Sequence, residues 1–113
     1  MTRRKLAICA IALLAALLSI SAAAAPKANV HKVTIKDLKY DPAKLTIKPG
    51  ETVEWTNKDD NNHTVTPDDE KAFDSSENLG AGDTFSHTFD QAGKFGYHCK
   101  YHPRMKGVIT VSK

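Results

Sequence analysis

The segment Tyr97-His98-Cys99-Lys100-Tyr101-His102-Pro103-Arg104-Met105 constrains this chain more than any other. Within seven residues it sets a thiol, an imidazole and a thioether in the pattern Cys99-x-x-His102-x-x-Met105. An extended chain advances about 3.3 Å per residue, which would carry these groups too far apart to meet at one ion. The segment must therefore bend, and Pro103 favours a bend directly after the histidine. Upstream, His63 in Asn61-Asn62-His63-Thr64-Val65 completes a set of two imidazoles, one thiolate and one weak axial thioether. Thiolate and thioether suit Cu(I), and two imidazoles also accept Cu(II), so the set selects copper in a site that changes oxidation state. For Cys-x-x-His alone, a buried structural cysteine beside surface histidines is the plainer reading. The methionine and the rest of the chain turn the balance towards a metal.

The chain opens with a targeting signal rather than with part of the fold. Arg3, Arg4 and Lys5 form a basic start, Leu6 to Ile20 is an apolar run, and Ser21 to Ala25 supplies the small residues a signal peptidase needs. The run is short for a membrane span of about 20 residues, and no stop-transfer pattern follows it. Cleavage is expected between Ala22 and Ala25, with residues 1–25 as the signal and 26–113 as a single small domain. Cys9 raises the alternative of a lipid-modified cysteine, but Ile8 is large for the preceding position and Cys9 comes too early in the apolar run. The expected location is a bacterial periplasm or an equivalent space.

Losing the signal changes the charge argument. The whole chain carries 16 Lys+Arg against 13 Asp+Glu, and Arg3, Arg4 and Lys5 leave with the signal, so the remainder is formally neutral. Nucleic-acid binding thereby loses its electrostatic support. A secreted domain of this size often carries disulfides, yet only Cys99 remains after cleavage. An unpaired thiol in an oxidising compartment needs protection or a role, and a metal bond supplies both.

Short alternating segments fill the rest. Val30 to Lys36 places Val33 and Ile35 on one face, as a half-buried strand does. Asp37 to Pro42 is expected to turn, Leu45 to Lys48 alternates again, and Pro49-Gly50 is a strong turn signal. Thr52 to Thr56 follows with Val53 and Trp55 inward. Asn57 to Asn62 has the composition of a flexible polar loop that delivers His63 into a short strand, Thr64 to Thr66. Pro67 to Gly82 is expected to be a long loop with at most one helical turn. Thr84 to Phe89, Lys94 to Cys99 and Gly107 to Val111 complete the strands. Phe95, Tyr97 and Cys99 share a face, so the thiolate points inward while His98 faces the surface. The expected architecture is all-β, a Greek-key antiparallel β-sandwich.

At these residues the sequence resembles the cupredoxins, the small blue copper proteins, and within them the amicyanin and plastocyanin group. The resemblance rests on Lys48-Pro49-Gly50-Glu51-Thr52-Val53-Glu54-Trp55-Thr56-Asn57, on His63, on Phe89 through Cys99, and on Cys99-x-x-His102-Pro103-x-Met105-Lys106-Gly107. The two residues between His102 and Met105 look like amicyanin; plastocyanins space these ligands more widely. The resemblance implies one copper ion held by His63, Cys99, His102 and, axially, Met105. It implies a one-electron carrier between redox proteins, expected to be monomeric; the residues offer no general base, nucleophile or open substrate position, so no catalysis is expected. Many members place Asn after the first ligand histidine and Ser or Thr after the cysteine, where the two side chains brace the site. Here those positions hold Thr64 and Lys100, which puts that brace in doubt.

Other features need no function. His31 and His87 are not expected to bind metal; His87, between Phe85 and Phe89, reads as a hydrogen-bonded core histidine. Asp68-Asp69-Glu70 reads as a solvated loop. Lys100, Arg104 and Lys106 border the exposed ligand and either steer an acidic partner or are simply solvated. Two alternatives to electron transfer stay open: copper binding or delivery by the same ligands, and a zinc module, against which the thioether argues.

Overall fold

The computed structural model describes residues 29–113. The expected signal, residues 1–25, and Cys9 lie outside the described residues. Eight strands follow: β1 (Val30–Lys36), β2 (Lys39–Asp41), β3 (Lys44–Ile47), β4 (Glu51–Asn57), β5 (Thr66–Pro67), β6 (Thr84–Phe89), β7 (Gly93–Cys99) and β8 (His102–Val111). They build two four-stranded sheets, ordered β2-β1-β4-β6 and β3-β8-β7-β5. The all-β sandwich expected from the alternation is present. Its pairing is mixed rather than antiparallel throughout, because β1 runs parallel to β4 and β3 parallel to β8. The reason is connectivity: β3 leaves for the opposite sheet and β4 returns beside β1, and such a crossover lets neighbouring strands run the same way.

Alternation sets the core. Val33 and Ile35 of β1, Val53 and Trp55 of β4, and Ile109 and Val111 of β8 all turn inward and are buried. Trp55 and Tyr97, from facing sheets, meet edge to face with centroids 5.4 Å apart. Tyr40 of β2 closes on Tyr97 from another side at 4.6 Å. Gly107 lies opposite Tyr97 in the β7–β8 register, and a Cβ there would run into the Tyr97 ring. The glycine makes room for the aromatic cluster.

The turns depart from expectation in two places. Of Asp37 to Pro42, Asp37 and Leu38 turn, both with positive φ (54° and 60°), the chain pairs back on β1 as β2, and it bends again at Pro42. Two successive left-handed residues suit a two-residue hairpin because their twist matches that of the strands. The long segment after Pro67 contains no helix; Ala72 N–H donates to Asp69 O in a single turn. It is also less free than its composition suggests. Leu79 exchanges both backbone hydrogen bonds with His63, and Ser76 N–H donates to Val65 O. The Pro49-Gly50 turn is as expected: Gly50 has φ 91°, and Glu51 accepts from the Lys48 amide and meets His31 at 2.9 Å.

His87 is half-buried, its ring stacked 5.0 Å from Phe73 and edge-on to Phe89 at 4.6 Å. Ring packing holds it, in place of the expected hydrogen bonding. Burial lowers its affinity for a proton, which Asp74 and Asp90 oppose. The unfolded chain therefore binds that proton first, so stability is full above about pH 6.5 and falls as the pH drops below it. His87→Phe should flatten the stability loss across that window in denaturant titrations, and slopes equal to wild type would place the acid sensitivity elsewhere. A second substitution tests the core. Gly107→Ala should destabilise by about 1–3 kcal/mol, the usual range for overpacking, and an unchanged unfolding midpoint would contradict the Tyr97–Gly107 register.

Candidate metal centre

The cysteine and the second histidine meet because the chain folds back sharply between them. β7 ends at Cys99, Lys100 and Tyr101 form the turn, and β8 begins at His102 directly opposite Cys99. The bend thus precedes His102 and does not follow it, contrary to the expectation placed on Pro103. Register explains the role of the proline. His98 pairs with Lys106 while Cys99 pairs with His102, so residues 103–105 form a bulge on the β8 side. A bulge is one of the few places in a sheet where a missing N–H is harmless. The same bulge returns Met105 to the interior, where it is buried. His98, between Tyr97 and Cys99 in sequence, turns outward as expected and pairs with Asp68 at 2.6 Å.

His63 arrives from between the sheets. It lies on the connection from β4 to β5 and is fully buried. The preceding residues, read from sequence as a flexible polar loop, are instead a built turn. Asn57 is fully buried, and its amide donates to the carbonyls of Asn61 and Leu79, at 2.9 and 2.7 Å. Its side-chain oxygen accepts from the Asp59 amide at 2.8 Å. Asp59 in turn meets His63 Nε2 at 2.8 Å and accepts from the amides of Asp37 and Leu38, at 2.7 and 3.1 Å. Burial disfavours its charge, but those amides and the imidazole outweigh the burial and hold the carboxyl below its ordinary range. Sequence reasoning missed both residues. The inward parity of Val53, Trp55 and Asn57 was the available signal for Asn57; Asp59, in an acidic and amide-rich run, offered none.

Three donor atoms converge at this end of the sandwich. Cys99 Sγ lies 3.7 Å from His63 Nδ1 and 3.8 Å from His102 Nδ1, and all three lie within 4.8 Å of one another. Metal–sulfur and metal–nitrogen bonds of about 2.3 and about 2.0 Å, opened to about 120°, put sulfur and nitrogen about 3.7 Å apart. The spacing therefore fits one metal ion in a trigonal His₂Cys set. The cupredoxin-like domain family matches residues 8–111. This chain belongs to the cupredoxin-like family.

Named relatives and solved structures agree with that placement. A plastocyanin from Scenedesmus fuscus is 38% identical over 85 residues, covering 66% of this chain and 87% of its own. An amicyanin from Paracoccus versutus is 36% identical over 94 residues, covering 80% and 70%. Among solved structures, a purple cupredoxin from Nitrosopumilus maritimus aligns with a TM-score of 0.67 at 32% identity, covering 73% of this chain and 99% of that one. A Cu(I) form of a methionine-to-glutamine variant of amicyanin aligns with a TM-score of 0.70 at 30% identity, covering 74% and 83%. The cofactor of the cupredoxins is one type 1 copper ion, and the donors present here fit it.

This cupredoxin keeps the brace behind the thiol, in altered form. The Thr64 amide donates to Cys99 Sγ at 3.4 Å, and the Lys100 amide donates to Thr64 Oγ1 at 3.0 Å. Backbone from the lysine position thus takes the part that a second hydroxyl side chain plays elsewhere. The Thr64 hydroxyl also meets Thr66, and Thr66 meets Ser75, so the brace continues into the long loop. Further in, Tyr40 donates from its hydroxyl to the Thr64 carbonyl at 2.5 Å. Thr64→Val keeps the shape and removes the acceptor. The Lys100 amide, left without it, should cost about 1–3 kcal/mol and exchange its hydrogen faster. Unaltered exchange at Lys100 in the variant would show that the brace carries no tension at the hairpin.

Proposed function

We propose that this cupredoxin holds its copper ion through His63, Cys99 and His102, with Met105 as the weak axial ligand, and carries single electrons between redox proteins. The observation that supports this most is the meeting of two imidazole Nδ1 atoms and one thiol at a trigonal spacing, with the buried Met105 lining the same cleft as His102. Copper bound by this mixed set cycles between two oxidation states, because thiolate and thioether favour Cu(I) while imidazoles accept Cu(II). Cys99 supplies the thiolate and is fully buried, which keeps water from it. His63 is likewise enclosed, whereas His102 is part exposed in an apolar cleft with Leu38, Tyr101, Pro103, Arg104 and Met105. Electrons therefore enter and leave through the edge of His102. The four donors leave no position for a substrate, so the domain acts as a carrier and not as an enzyme.

The surface around His102 supports an acidic protein partner. Leu38 and Tyr101, 48% and 45% exposed, give an apolar contact, and the exposed Lys100, Arg104 and Lys106 give a basic rim. Such a rim steers an acidic protein towards the apolar centre. The carrier works as a monomer in the periplasm, reached through the signal in residues 1–25. Its formal neutrality after cleavage argues against nucleic acid as a partner.

Copper loading tests the proposal. The loaded protein should turn intensely blue, bleach with ascorbate, recover with oxidant and melt at a higher temperature than the apo form, since gathered ligands bind the folded state far better than the unfolded. Cys99→Ser should abolish the blue band and leave the β-rich circular dichroism in place. A Cu(I) complex that no oxidant turns blue would replace the electron carrier with copper delivery; a Cys99→Ser protein that stays blue would overturn the ligand assignment.

A further inference from the structure

One carboxylate lies against the buried side of the centre with a geometry that does more than hold a turn. Asp59 Oδ2 sits 2.8 Å from His63 Nε2, and the opposite ring nitrogen, Nδ1, faces Cys99 Sγ. A carboxylate accepts, so Nε2 carries the hydrogen and Nδ1 presents its lone pair towards the thiol. Asp59 is itself fixed from three directions: the Asp37 and Leu38 amides donate to its two oxygens, and its own amide donates to Asn57. The two left-handed residues of the β1–β2 turn aim their N–H groups at this side chain. The turn would be satisfied by those amide bonds alone. The bond to His63, nine-tenths buried at one end and wholly buried at the other, is additional.

We infer that Asp59 is a positioning residue for His63 that fixes its Nε2–H tautomer and ring plane, strengthens Nδ1 as a donor to Cu(II), and so lowers the reduction potential below what the four ligands would set alone. This deepens the copper proposal and rests on His63 being a ligand. The physics has two parts with the same sign. A carboxylate that pulls on the N–H leaves the ring a more basic ligand, and its negative charge, shielded from water, favours the more highly charged metal ion.

The test separates a tuning role from a structural one. Asp59→Asn keeps the volume and one acceptor but loses the charge, and it turns an amide N–H₂ towards one of the three donors that Asp59 now accepts from. Its Cu(II) affinity should fall about 10–100-fold, the usual cost of losing a ligand's outer partner, while Cu(I) affinity falls less. Each tenfold difference between the two raises the potential by about 59 mV for a one-electron couple. Asp59→Glu, which restores a carboxylate, should return the potential towards wild type. Equal losses for Cu(I) and Cu(II), with an unmoved potential, would overturn the inference and leave Asp59 a turn staple. The apo wild-type protein gives a reading that needs neither variant: nitrogen-15 NMR should find His63 protonated on Nε2, and protonation on Nδ1 would overturn the inference. A wild-type protein that takes up no copper would defeat the ligand proposal instead, with the apo tautomer still reporting on Asp59.

Discussion

The approach of Cys99 to His63, 3.7 Å between sulfur and Nδ1 across 36 residues of sequence, is the contact on which the rest of the structure depends. Cys99 belongs to a hairpin of one sheet; His63 sits on the passage between the sheets. Their meeting requires the sandwich to be closed at this end and both approaches to be fixed. The Tyr40–Tyr97–Trp55 cluster lies directly behind, and Tyr97 is two residues from Cys99 on the same face. Packing of the large aromatics thus sets the depth at which the thiol emerges. Gly107, by yielding space to Tyr97, is as much a part of the centre as the brace at Thr64.

Holding these donors in place before any metal arrives has a conformational cost of about 1–2 kcal/mol per fixed backbone residue. The hydrogen bonds around His63 show how it is offset. Asn57, Asp59, Thr64, Ser76 and Leu79 bind the connecting segments to one another through backbone groups that would otherwise be buried without partners. Buried polar groups left unpaired are expensive, so the network rejects alternative loop conformations more strongly than it rewards the native one. A centre whose donors move little between two charge states of the metal transfers electrons with little rearrangement, and this network resists such movement.

What could be read from the sequence, and what could not, divides along the same line. Val33, Ile35, Val53 and Trp55 declare their strands by alternation, and Cys99, His102 and Met105 declare a metal by donor chemistry. Both signals are local. The bend was misplaced because the Lys100-Tyr101 turn lacks the Gly or Asn that marks a tight turn, while Pro103 looked like one. The pairing of β1 with β4, the grip of Leu79 on His63 and the aim of Asp37 and Leu38 at Asp59 are long-range. No period or composition encodes them. Thr64 shows the middle case: the missing side chain at the Lys100 position was visible, but its replacement by a backbone amide was not.

The two histidines end with opposite freedoms, and that asymmetry follows from where the chain puts them. His63 is held at both nitrogens and lies on a segment paired to Leu79, so neither ring nor backbone can shift without breaking several buried bonds. His102 has Nδ1 towards the thiol and its other edge in the apolar cleft, on a hairpin whose turn is exposed. Asp59 joins the two sides. The oxygen that meets His63 also accepts from the Leu38 amide, and the Leu38 side chain lines the cleft beside His102. The buried histidine and the apolar cleft are therefore fixed to the same carboxylate. Pressure on Leu38 falls on a turn anchored behind His63, where Asn57 at the end of β4 holds Asp59. One imidazole edge is thus open to solvent while the other is bound to a carboxylate that also holds the cleft wall, so a displacement of Leu38 reaches His63 through Asp59.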